Sequence, residues 1–248
     1  MWEIYDDLIQ SVPDGLTVID CLVGLHWTLI RSELGTGAAM TVKGGQAGGK
    51  YGDLLGMSLK DLAGFAKSWN MIEASLGQAA MNAAFNLPAN FAALTGKPFI
   101  KTEDPEKGNG FAQFLPDIQG KKVAVIGHFP NIDSLKNQCQ LSILERMPQD
   151  DDFPDPAGEY ILPQQDVVFI TGTALINKTM PRLLDLARNA RIILIGPSVP
   201  ISPVLFKYGV DTIASTVLLD EEKVWKVVKQ GGKMNIFKNG GQMVCIRS

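Results

Sequence analysis

Apolar positions near the start of the chain, Trp2, Ile4, Tyr5, Leu8, Ile9 and Val12, recur at helical spacing and stop at Pro13-Asp14-Gly15. This predicts one amphipathic helix closed by a turn. The run from Leu16 to Leu34 is rich in β-branched and aromatic residues, and Ala38 to Val42 repeats that character before a glycine cluster; two or three antiparallel strands are expected. Ser58 stands as an N-cap before Leu59-Lys60-Asp61, and Met71 to Asn86 predicts a second helix ended by Leu87-Pro88. Glu73, Gly77, Ala80 and Ala84 share one stripe of that helix, so a neighbouring backbone can approach it closely.

Between Thr95 and Asn109 the composition turns to Lys, Asp, Glu, Pro and Gly, which places a domain boundary near residue 110 and divides the chain into 1–110 and 111–248. Beyond it, KVAVIG from Lys122, QLSILE from Gln140, VVFIT from Val167, RIILIG from Arg191 and TIASTV from Thr212 are short apolar runs spaced for parallel strands with crossovers. Helix punctuation falls between them, at Thr179 with Pro181, at Ser202-Pro203 with Gly209, and at Asp220 with Gly231-Gly232. The fold class is therefore α/β, an N-terminal α+β unit followed by a doubly wound parallel sheet. The Asn239-Gly240 pair predicts a terminal hairpin between Met234–Lys238 and Gln242–Arg247.

Composition narrows the partners. Lys plus Arg number 23 against 26 Asp plus Glu, a net charge of −3, and 46% of the 248 residues are hydrophobic. Disorder, collagen and strong nucleic-acid affinity are excluded on those values, and basic stripes beside the tryptophans are missing. The three cysteines, Cys21, Cys139 and Cys245, form no short-spaced pair, as expected for reduced thiols. No basic-then-apolar leader opens the sequence and no apolar run reaches about 18 residues, so a cytoplasmic protein without a membrane partner is expected.

The motif search is mostly a series of near misses. Gly44 to Lys50 reproduces the G-x-x-x-x-G-K spacing of a phosphate loop, but Tyr51 replaces the magnesium-binding Ser/Thr and Gly52-Asp53 replace the helix start. A flexible loop or lid is the better reading, since six glycines lie between Gly44 and Gly56. The first strand of the second half ends in Gly127-His128-Phe129-Pro130, where a dinucleotide site would have G-x-G-x-x-G. Glu145 nevertheless ends the next strand 18 residues after Gly127, where such folds place an acid on a ribose. Thr171, Gly172, Thr173 and Asn177 follow the third strand, and Gly196 and Ser198 the fourth. Ligands of open α/β sheets bind beyond these strand ends, so these residues, with Gly127, Phe129 and Pro130, form the candidate binding crevice. Of two histidines, His26 lies inside a strand and reads as structural, whereas His128 sits at a strand end and is the candidate acid/base. His128 and Glu145 are also the candidate metal ligands, and Glu73 joins them as a third catalytic candidate if the first domain packs over the sheet edge. The acidic run Asp150-Asp151-Asp152 reads as a solvated loop, with Asp155-Pro156 opening a short helix. No serine elbow is present.

The segments Gly24-Leu25-His26-Trp27-Thr28, Glu73 to Asn86, Gly127-His128-Phe129-Pro130, TGTALINKT and Gly196-Pro197-Ser198 together resemble the putative heavy-metal chelation domain family, over nearly the whole chain. The resemblance implies an N-terminal domain like that of enolase, a Rossmann-like C-terminal domain and an active site in the cleft between them. It places Glu73, with Asn82 or Asn86, on the capping side and His128, Glu145, Thr173, Asn177 and Ser198 below. It also implies a heavy-metal or transition-metal ion, or its organic chelate, as the cofactor or ligand, and a homodimer as the assembly. Enolase chemistry does not follow, because the ligand-bearing barrel is missing. Three functions stay open: an enzyme acting on a small molecule, with or without metal and including a nucleoside-like ligand; a non-catalytic metal or metallophore binder; and a structural protein.

Overall fold

The computed structural model describes residues 2–49, 51–102, 111–130 and 132–248. The predicted boundary near residue 110 lies outside them, as does Lys50 of the glycine-rich loop.

The N-terminal half runs α1 (Glu3–Gln10), β1 (Asp20–Val23), β2 (Trp27–Arg31), β3 (Thr36–Met40), α2 (Leu59–Ala63), α3 (Met71–Phe85) and α4 (Pro88–Thr95). β1, β2 and β3 form a three-stranded antiparallel sheet. Ser58 caps α2 by accepting from the Asp61 N–H, and Asn70 caps α3 through the N–H groups of Ile72 and Glu73. Asn70 also ties down the glycine-rich loop: its Nδ2 donates to the carbonyls of Gln46 and Gly48 at 3.0 and 3.1 Å. α4 follows α3 after a single kink; Pro88 opens it without losing a needed N–H, and Gly96, with φ 65°, closes it. Sequence reading stopped at Leu87-Pro88 and missed this helix.

The C-terminal half runs α5 (Leu115–Ile118), β4 (Lys122–Ile126), β5 (Gln140–Glu145), β6 (Phe153–Pro154), α6 (Gly158–Ile161), β7 (Val167–Thr171), α7 (Thr173–Ile176), α8 (Met180–Leu186), β8 (Arg191–Ile195), α9 (Val204–Lys207), β9 (Thr212–Leu218), α10 (Glu221–Lys229), α11 (Asn235–Lys238) and β10 (Gly241–Arg247). The seven-stranded sheet has the order β10-β9-β8-β7-β4-β5-β6. All its pairs are parallel except β10 with β9.

Two expectations are corrected. The terminal hairpin does not form: Asn235–Lys238 is helical and buries Ile236 among Trp27, Val224 and Trp225. Asn239-Gly240 instead feeds β10, which pairs along all seven residues with β9 and so covers what would have been an open sheet edge. The acidic stretch is not simply a solvated loop either, because Phe153–Pro154 extends the sheet against Leu144 and Glu145, and the Asp152 side chain is 3% exposed.

α3 joins the halves. Its residues from Glu73 to Phe85 are all buried, because one side faces the small sheet and the other faces the ends of the large one. Gly37 of β3 allows the first contact, since a Cβ there would lie 2.1 Å from the Ala83 backbone nitrogen, and Gly77 likewise lets the segment Gly64–Lys67 approach α3, a Cβ there lying 2.1 Å from the Ala66 backbone nitrogen. The second contact is polar. Gln78 donates to the Ser198 carbonyl, Asn82 to the carbonyls of Ala38 and Pro197, and Asn86 to Val199 O and Ser215 Oγ. One apolar cluster accordingly contains Leu8, Leu76 and Met81 from the first half with Ile170, Leu194 and Ile213 from the second. Among the described residues no helix is long and apolar enough to cross a membrane.

Candidate functional site

β4 lies between β7 and β5, so the chain winds outward from β4 through β5 to β6 and then returns to β7 on the other side. The loops leaving β4 and β7 therefore diverge, which opens a crevice at their carboxyl ends. A cavity of about 310 Å³ occupies it. Five of the predicted residues line this cavity: Gly127, Glu145, Thr171, Thr173 and Asn177. Ile126, Leu144, Ala174, Leu183 and Leu186 give it an apolar floor. At the rim stand two ion pairs, Arg146 with Asp155 at 2.9 Å and Arg182 with Glu159. The Arg182 guanidinium holds the Glu159 carboxyl below the usual carboxylate range.

Glu145 is anchored by main chain. Its Oε2 accepts from the His128 N–H at 2.9 Å and its Oε1 from the Arg146 N–H at 2.6 Å. Oε1 also accepts from the Met147 N–H at 3.4 Å, so the carboxylate fixes the β4 loop to the turn after β5 and Oε2 is the oxygen that keeps acceptor capacity. The Thr171 and Thr173 hydroxyls pair at 3.1 Å, and Thr171 Oγ1 also accepts from the Thr173 N–H. Asn177 Oδ1 accepts from both the N–H and the hydroxyl of Thr179. That orients the amide, and its Nδ2 has no partner among the described residues. Thr179 occupies the N-cap position of α8 without capping it, because its hydroxyl is committed to Asn177.

His128 sits beside the cavity without lining it. Its Nδ1 lies 2.8 Å from Asp152 Oδ2, while the imidazole is 29% exposed. A carboxylate accepting from Nδ1–H presents Nε2 as the free basic nitrogen, the arrangement of a general acid/base. Asp152 is a site residue that sequence reading missed; its only signal was a place in an acidic run.

The remaining candidates lie elsewhere. Glu73 accepts from Ser68 Oγ at the start of α3 and does not line the cavity. Ser198 Oγ accepts from the Met40 N–H and Gly172 packs against the Ser198–Val199 backbone, so both belong to the joint between the halves. Phe129 stacks edge-on with Phe111, and its ring also stands beside Gly196. Pro130 follows on the exposed part of the same loop. A second cavity, about 330 Å³, does lie between the halves, lined by Glu3 and Ile4 with Pro181, Leu184, Asp185 and Tyr208. It holds none of the predicted residues.

No group of three or more His, Cys, Asp or Glu side chains that could hold a metal ion converges among the described residues. His128 and Glu145 meet through a backbone N–H rather than through two ligand atoms. Thiol chemistry is also disfavoured, since burial pushes the Cys21 thiol up to about 11 and raises those of Cys139 and Cys245. Lys178 is a further buried group that sequence reading left unmarked. It is 6% exposed, lies in the left-handed region at φ 68°, and donates to the Ile176 carbonyl at 2.6 Å. Burial pulls its ammonium down to about 8.

Comparison with known proteins agrees with this architecture. Residues 109–247 match the DUF364 model and residues 5–85 the DUF4213 model, both described as "Putative heavy-metal chelation". An uncharacterized protein of Methanocaldococcus jannaschii is 31% identical over 95% of this chain and 92% of its own length. A crystal structure of a DUF364 protein of unknown function from Desulfitobacterium hafniense DCB-2 is 38% identical, covers 100% of this chain and 99% of that one, and superposes with a TM-score of 0.89. Another, from Pyrococcus horikoshii, is 24% identical over 99% and 98% of the chains with a TM-score of 0.76, and shares the fold. With both halves matched in order and a relative aligned along nearly its full length, the chain belongs to the putative heavy-metal chelation family.

Proposed function

We propose that the protein binds a small polar organic molecule in the cavity at the ends of β4, β5 and β7, and that a heavy metal reaches this site within such a molecule, as its chelate. The observation that carries the reading is the convergence there of Glu145, Thr171, Thr173 and an Asn177 Nδ2 without a partner over an apolar floor, with no converging set of protein ligands for a bare ion, among the described residues. An organic chelate brings its own donor atoms and needs from the protein only shape and hydrogen bonds. His128, oriented by Asp152, acts as acid or base at the rim. In this reading residues 1–110 form a cap like the small domain of enolase over a Rossmann-like domain, 111–248, and the working form is a homodimer.

The test is native mass spectrometry with elemental analysis on protein purified anaerobically without chelator. A retained organic mass, with or without metal, is expected. Asn177→Asp keeps the acceptor for Thr179 but removes both amide donors, and should lose that ligand while leaving the thermal transition in place. A metal retained without any organic mass, or a ligand indifferent to Asn177→Asp, would refute the reading.

A further inference from the structure

We infer that the cavity takes an unphosphorylated ligand of the ribonucleoside class, because Glu145 occupies the place a phosphate would need. The inference rests on the small-molecule reading above. In dinucleotide-binding sheets the N–H groups of the loop after the first strand hold the pyrophosphate, and an acid ending the second strand holds ribose hydroxyls. Here the two devices are joined. Glu145 reaches back from β5 and accepts from the His128 N–H, the first amide donor of the loop after Gly127, at 2.9 Å. Two residues on, Pro130 has no N–H to offer. The loop's anion is therefore the protein's own carboxylate, whose Oε2, with one N–H donor, keeps a lone pair for a sugar hydroxyl.

Among the described residues that line the cavity, both cations already stand in ion pairs. Arg146 Nε is paired with Asp155 at 2.9 Å, and Arg182 is held by both Glu159 and Asp185. The volume adds a limit: about 310 Å³ stands at the small end of the roughly 300–1,000 Å³ range of ligand sites, enough for a base with its sugar and too little for a dinucleotide. Leu144, Ala174, Leu183 and Leu186 offer a flat base an apolar floor, and Asn177 Nδ2 offers its edge a donor.

The test is calorimetric titration of the full chain, dialysed free of retained ligand, with adenosine, guanosine, cytidine and uridine, then with their 2′-deoxy forms and 5′-monophosphates. One ribonucleoside is expected to bind, with the 2′-deoxy form and the 5′-monophosphate each weaker by about tenfold or more, the cost of leaving one buried polar group unmatched. Glu145→Gln, which removes the charge, should shift the nucleoside-to-monophosphate ratio toward the monophosphate by about tenfold, a readout that a purely structural role would not move. A monophosphate that binds as tightly as its nucleoside, or a ratio unchanged in Glu145→Gln, overturns the inference. If the natively retained organic ligand is displaced by none of the four, the inference falls and the small-molecule reading stands; if no organic ligand is retained either, both fall.

Discussion

Lys178 puts a number on what the turn before α8 costs the fold. Its ammonium lies buried with one carbonyl for a partner, and burial alone moves it from its ordinary 10.5 down to about 8. The unfolded chain therefore holds a proton between those values that the folded chain has released, so stability rises with pH across that window. Below about pH 8 the penalty is complete, and a displacement of this size corresponds to about 3 kcal/mol. Lys178→Met keeps the length of the side chain and the left-handed backbone but removes the charge. It loses the bond to the Ile176 carbonyl, worth about 1 kcal/mol, so a net gain of about 2 kcal/mol is expected at pH 7. For a chain of 248 residues that is a rise in Tm of roughly 4–8 °C. The gap to wild type should shrink by about 2 kcal/mol as the pH is raised from about 7 to about 9.5, because the wild type sheds its penalty while the variant has none to shed. Urea unfolding followed by circular dichroism at closely spaced pH values measures both curves. Parallel curves for the two proteins would show that Lys178 titrates as it does in water and that its burial carries no electrostatic cost.

Four further substitutions probe the packing around α3 and the joint between the halves. Gly37→Ala would place a Cβ 2.1 Å from the Ala83 backbone nitrogen of α3, where no flexible side chain can yield. A loss of about 3 kcal/mol or more is expected in urea unfolding, whereas Gly64→Ala, with open space at that position, should stay within about 0.5 kcal/mol. Asn86→Ala removes donors to Val199 O and Ser215 Oγ and the acceptor for the Ile201 N–H, all buried, and should cost about 3 kcal/mol by the same measurement. Tyr5→Phe strands the Leu175 carbonyl, which now receives the phenol at 2.8 Å, and should lower stability by about 1–2 kcal/mol. A Tyr5→Phe variant as stable as wild type would mean that water replaces the phenol there.

What the sequence disclosed about the site follows from which constraints are local. A parallel strand ends where its apolar run ends, and the sheet rule gathers such ends, so Gly127, Glu145, Thr171, Thr173 and Asn177 were legible before any coordinate. Gly196 and Ser198 end a strand by the same logic, yet they are not in the cavity, because α3 and its C-cap Asn86 pack on the turn after β8 and spend their amides on the carbonyls of 197–199. That contact spans more than 100 residues, as in Asn82 with Pro197, and no local pattern encodes it. An amide stripe stands in the sequence, since Gln78, Asn82 and Asn86 recur at four-residue steps and the helix residues between them are small or apolar. The helix was read instead from its neighbouring stripe, Glu73, Gly77, Ala80 and Ala84, for close approach, which Gly77 satisfies, and Asn82 or Asn86 entered only through the family resemblance, as cleft residues rather than as buried amides in need of partners. Asp152 failed for the opposite reason: a charge run is usually solvated, and only the return of the chain as β6 brings this aspartate against His128.

The same amides explain why the crevice is one-sided. Buried side-chain amides must find partners, and the turn after β8 supplies them as bare carbonyls of Pro197, Ser198 and Val199. Once those are used, the β8 side of the sheet edge is closed to ligands and the joint between the halves is fixed. Among the described residues the loops after β4, β5 and β7 receive no such cover. Their polar groups satisfy one another only in part: among the described residues Asn177 Nδ2 has no partner and Glu145 Oε2 accepts a single N–H. The amide donors of Gln78, Asn82 and Asn86 are all used on the β8 side, where Gln78 Oε1 is left without a partner among the described residues, whereas donors and acceptors on the other side stay open, and in the proposed reading ligand atoms finish that set.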